Sequence, residues 1–106
     1  MEGIEVKAVM DFMERVRSDG RMGPAHISVY MAVVYVWSMQ GADGPAKVNG
    51  KELGALAKIS GTTPLYRRLR ELHEFGYIVY QPSFNPTDRS RVSLTLMEKM
   101  RYLWKG

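Results

Sequence analysis

The hydrophobic positions follow the helical period through most of the chain and change to the strand period only near its end. Residues 4–17 place Val6, Val9, Met10, Met13 and Val16 at three- and four-residue steps. Glu5, Lys7, Asp11, Glu14, Arg15 and Arg17 fall mostly on the other side, which predicts an amphipathic helix. Ser18-Asp19-Gly20 ends it, and Gly23-Pro24 marks the next start. From Ala25 to Met39, Ile27, Tyr30, Met31, Val34, Tyr35 and Trp37 put apolar groups on most sides. A buried strand competes for Val29 to Trp37, but strands are usually shorter than the whole segment, so a helix is expected. A helix apolar nearly all round should be covered nearly all round, at the centre of the core.

Gly41 to Pro45 has the composition of a loop, and Lys47-Val48 of a very short strand. Asn49 stands three residues before Glu52, close to a capping box, and Leu53, Leu56, Ala57 and Ile59 give the following helix its inward face. Ser60-Gly61 turns into the segment that organises the chain, 62–75. Thr62 or Thr63 suits its cap and Pro64 its first helical position. Leu65, Leu69 and Leu72 recur at i, i+4 and i+7, while Thr63, Arg67 and Arg70 project from the opposite side. Gly76 is a left-handed stop. Two short helices joined by a glycine-containing turn make a helix-turn-helix candidate.

Beyond Gly76, Tyr77 to Gln81 is rich in strand formers. Pro82 to Asp88 is turn-forming, and Arg91 to Leu96 alternates with Val92, Leu94 and Leu96 on one face. These predict a hairpin. Met97, Met100, Leu103 and Trp104 space as a short amphipathic helix over 97–105. The order defines an α+β, mainly α chain: a winged helix-turn-helix core over 24–96, an extra helix at each end (4–17 and 97–105), and a two- to three-stranded antiparallel wing sheet. At 106 residues it is expected to form a single domain, 1–106.

Composition narrows the partners. Cysteine is absent, which removes disulfides and thiolate metal sites and fits a reducing, cytoplasmic setting. The longest apolar run, Val29 to Trp37, is too short to cross a bilayer, so no membrane partner is expected. The net charge of +4 is uneven: residues 47–106 hold eleven Lys/Arg against five Asp/Glu, and residues 1–46 four against six. A basic C-terminal half suggests an anionic partner for one part of the surface, though a charge of this size alone is weak support.

The stretches HISVYMAVVYVW (26–37) and AKISGTTPLYRRLRELHEFGYIVYQPSFNP (57–86) resemble a family of small bacterial winged-helix DNA-binding proteins. Many of its members are regarded as transcriptional regulators and some are associated with mobile elements. The resemblance covers residues 26–93 and is most specific at Lys58 to Gly61, Leu72 to Ile78 and Pro82 to Pro86. It implies a recognition helix at 62–75 and a wing at 82–90. The chain departs from the family's pattern in a glycine-richer linker, Gln40 to Ala46, and in Arg68, which stands where a small, more buried residue is usual and is expected at the edge of the core.

On such a helix Arg67 and Arg70 can reach base edges, because the guanidinium fork matches guanine O6 and N7. Thr62 and Thr63 stand where hydroxyls and unpaired backbone N–H groups bind phosphate. Tyr66, to one side, reaches phosphate or a thymine methyl. Arg89 and Arg91 flank the hairpin tip and can grip the backbone or enter a minor groove. Lys51 and Lys58 are phosphate candidates on the preceding helix. The plain alternative for each is a solvated charge; for Arg67 and Arg70 the helix-turn-helix setting outweighs it. His73, beside the leucine stripe, is expected as a partly buried structural imidazole, and His26 as a local hydrogen-bonding residue. Glu71 and Glu74 read as a solvated pair. No metal-ligand spacing, nucleophile elbow or phosphate loop occurs, so no metal, cofactor or enzymatic activity is expected.

The expected function is therefore sequence-specific double-stranded DNA binding in transcription regulation, with helix 62–75 in the major groove and the wing on the backbone or minor groove. The alternatives are a winged-helix protein–protein interaction module and a DNA-binding accessory factor of plasmid replication or mobile-element excision. The apolar stripes of the two terminal helices suggest a homodimer, which would suit a palindromic site.

Overall fold

The computed structural model describes residues 3–83 and 89–95. The tip of the expected wing, Leu96 and the expected C-terminal helix over 97–105 lie outside the described residues. Within them the chain is mainly helical with a small antiparallel sheet. It runs α1 (Ile4–Val16), α2 (Pro24–Met39), β1 (Ala46–Val48), α3 (Gly50–Ala57), α4 (Thr62–Glu74), β2 (Ile78–Gln81) and β3 (Ser90–Leu94). β3 is the middle strand, with β1 and β2 antiparallel on either side of it.

α2 is the hub, packing against α1, α3, α4, β1 and β3. Its Val29, Val33, Val34 and Trp37 are fully buried, and the Trp37 indole N–H donates to the Gly44 carbonyl at 3.0 Å, tying down the glycine-rich linker. The expectation that α2 is covered all round is corrected, however. Met31, Tyr35 and Met39 lie open along one side.

α1 also turns a different face inward from the one its methionines suggest. Ala8 and Phe12 are buried, with Phe12 at 1% exposure and stacked flat on Tyr30 at 3.6 Å, and Val9 and Val16 are half-buried. Val6, Met10 and Met13 point outward, Met10 at 65% exposure. An aromatic ring buries more apolar area per residue than methionine and finds a stacking partner in Tyr30, so it takes the inward position. The α1–α2 connection is locked by Asp19, which accepts from Arg21 and from the Tyr77 hydroxyl, and by Arg15 and Arg21 lying over the Tyr77 and Phe75 rings.

Candidate nucleic-acid interface

α3 begins as its cap residue dictates. The Asn49 Oδ1 accepts from the backbone N–H of Lys51 at 2.8 Å and of Glu52 at 3.3 Å, satisfying two of the helix's unpaired donors. Its inward face is Leu53, Gly54 and Ala57; Leu56, expected inward, is exposed, and Ile59 is half-buried against the core. The helix ends at Lys58 in the left-handed conformation, φ 61°, whose N–H bonds the Gly54 carbonyl. A side chain at Gly54 would come within 3.1 Å of the Ile59 carbonyl, so glycine lets the turn close against α3.

α4 starts differently from the expectation. The cap is Gly61, at φ 87°, with no side-chain cap bond; Thr62 and Thr63 are the first two helical residues and Pro64 the third. Pro64 is tolerated there because the first-turn N–H groups have no helical partner. The leucine stripe is as the period demands: Leu65, Leu69 and Leu72 are fully buried. The helix closes at Glu74, with Gly76 at φ 86° and the Tyr77 N–H bonding the Leu72 carbonyl at 2.9 Å.

With that seam fixed, Arg67 and Arg70 stand exposed on the outer side, and Thr62 and Thr63 stand exposed at the helix start. Among the described residues no carboxylate pairs with either arginine. Arg68 behaves otherwise, half-buried at the edge of the core, its Nη1 donating to Glu71 at 2.6 Å. Glu71 is not the solvated carboxylate expected. It also meets the His26 Nε2 at 2.8 Å, and Arg68 first, then His26, hold its carboxyl below the usual range. The Gly23 N–H donates to His26 Nδ1 at 2.9 Å, so the imidazole tautomer with hydrogen on Nε2 serves both contacts. His26 thus has its expected local bond and a long-range one that local sequence did not signal.

Two other residues sit differently from their expected places. Tyr66 is half-buried: its hydroxyl lies where a Gly50 side chain would be, 2.7 Å from that Cβ position, and its ring faces Tyr80 at 6.4 Å. It supports the α3–α4 pairing rather than projecting. His73 is exposed rather than partly buried, and its Nδ1 accepts from the Tyr80 N–H at 3.0 Å, joining the end of α4 to β2. Arg91 is a half-buried strand residue between Lys47 of β1 and Gln81 of β2, in the last β2–β3 pair before the loop as expected, and Arg89 is exposed just before β3. Lys51 and Lys58 are exposed on α3 and its cap.

Between α4 and β2 lies an open notch of about 340 Å³ lined by Arg70, His73, Glu74, Tyr80 and Pro82. Arg70 thus borders both the outer face of α4 and this recess. Among the described residues no group of three His, Asp or Glu is placed to hold a metal ion, and no helix is long and apolar enough to cross a membrane. Comparison with protein-family models, curated proteins and solved structures gives no significant match.

Proposed function

We propose that the chain is a winged helix-turn-helix protein that binds double-stranded DNA sequence-specifically, as a transcription regulator, with α4 in the major groove. The observation that carries this reading is the polarity of α4. Three buried leucines fix one side to the body, while Arg67 and Arg70 face outward with no carboxylate paired to them among the described residues. A helix of this width, with a cationic outer face, fits the roughly 12 Å major groove. Thr62 and Thr63 offer hydroxyls and first-turn N–H groups to a phosphate. Lys51 and Lys58 on α3 and its cap, and Arg89 just before β3, are further exposed cations, and Arg91 stands in β3 next to the hairpin loop. Tyr66 acts as a brace between α3, α4 and β2, and any phosphate contact it makes is through its hydroxyl.

Selection of bound duplexes from a random pool tests the reading. An enriched motif is expected, and Arg67→Ala or Arg70→Ala should cost about 1–3 kcal/mol on it while relaxing preference at one or two base pairs. Equal loss on enriched and random duplexes would reduce both arginines to backbone contacts. Failure to retain any duplex at low salt would defeat the proposal.

A further inference from the structure

Three polar residues at the end of α4 share one side of the helix and one recess. Arg70, His73 and Glu74 stand at i, i+3 and i+4, all exposed beside the open notch of about 340 Å³ that Tyr80 and Pro82 complete. Opposite charges four residues apart would ordinarily meet. The Arg70 guanidinium and the Glu74 carboxylate pair neither with each other nor, among the described residues, with any other side chain. His73 is held by its other nitrogen: Nδ1 accepts the Tyr80 N–H at 3.0 Å, so the neutral ring carries its hydrogen on Nε2 and keeps that donor free. The rest of the lining is apolar. The half-buried Tyr80 ring packs against Tyr66, with centroids 6.4 Å apart, and the exposed Pro82 adds a second ring.

We infer that this notch binds the zwitterion of a free aromatic amino acid. The Arg70 fork fits the ligand's carboxylate in the bidentate geometry that guanidinium favours, with the His73 Nε2–H as a further donor. Glu74 is the last residue of α4, where the helix's partial negative charge adds to its own, so the notch attracts an ammonium group there. The Tyr80 and Pro82 rings offer the apolar surface on which an aromatic side chain packs. The volume lies near the lower end of the roughly 300–1,000 Å³ of small-molecule sites, which suits a ligand of this size. The Glu74 carboxylate also argues against a phosphate in the notch, because it repels a group that carries only negative charge. The inference goes beyond the DNA-binding proposal and does not rest on it, and its test contains no DNA.

Titration of the full chain with L-phenylalanine, followed by backbone amide resonances, should shift Arg70, His73, Glu74 and Tyr80. The shifts should saturate with a Kd on the order of 1 mM, as an open site and a ligand of few atoms allow. 3-Phenylpropionate, which lacks the amine, and phenethylamine, which lacks the carboxylate, should each bind about fivefold or more weaker. Glu74→Gln should remove the preference for phenylalanine over 3-phenylpropionate, and Arg70→Gln the preference over phenethylamine. Both positions are exposed, and an unchanged remainder of the spectrum shows that each variant folds. Absence of saturable shifts at these residues up to about 20 mM overturns the inference. Equal binding of phenylalanine and 3-phenylpropionate also overturns it, by making the notch a plain anion site. So does inorganic phosphate that shifts the same amides and displaces phenylalanine.

Discussion

Asp19 shows how one side chain ties distant parts of this chain together. It takes Arg21 Nε and Nη2 at 2.8 Å each and the Tyr77 hydroxyl at 2.8 Å. Arg21 first, and then Tyr77, hold its carboxyl well below the usual range. A carboxyl depressed in the folded state stabilises that state wherever it is ionised, above the ordinary value of about 3.9, and the gain is lost as pH falls from there toward the folded value. Thermal melts should therefore drop as pH goes from about 5 down through 3, and Asp19→Asn should flatten part of that drop, leaving the share due to Glu71. An identical pH slope in the variant would contradict the role given to Asp19. The sequence marks Asp19 only as part of a turn. Its partner Tyr77 lies 58 positions away, as Glu71 lies 45 positions from His26, and contacts of that span leave no local pattern.

At the scale of elements, α4 and α1 differ in how far periodicity can decide. In α4 the three leucines occupy one narrow stripe among polar residues, so the spacing alone identifies its buried side. α1 carries apolar residues over two adjoining arcs, Ala8–Phe12 and Val6–Met10–Met13, and period alone cannot rank them. The choice is made by what α2 presents, a Tyr30 ring onto which Phe12 stacks. Phe12→Ala should then cost about 3–5 kcal/mol in denaturant melts, whereas Met10→Ala should stay within about 0.5 kcal/mol. The reverse order would mean that α1 docks through its methionines. The same limit explains α2, whose sequence is apolar on almost every side and so does not show which side lies open. The left-handed Lys58 is equally hidden, because lysine carries no preference for that conformation. By contrast, the Asn49 cap and the Gly76 stop follow from residue chemistry and are readable directly.

Across the whole molecule, α2 separates two surfaces of different character. The side bearing His26 faces α4 through Glu71, and Met31, Tyr35 and Met39 lie on the reverse by helical spacing. The C-terminal half carries most of the Lys and Arg, and the N-terminal segment carries an acidic excess. Which side meets DNA is decided most directly by following the backbone amide resonances of the full chain while a selected duplex is added. The strongest shifts should fall on Thr62, Thr63, Arg67 and Arg70, with weaker ones along the hairpin and the start of α3, and none on Met10 or Tyr35. Shifts centred on α1 and the open side of α2, with α4 silent, would contradict a DNA-binding role for α4.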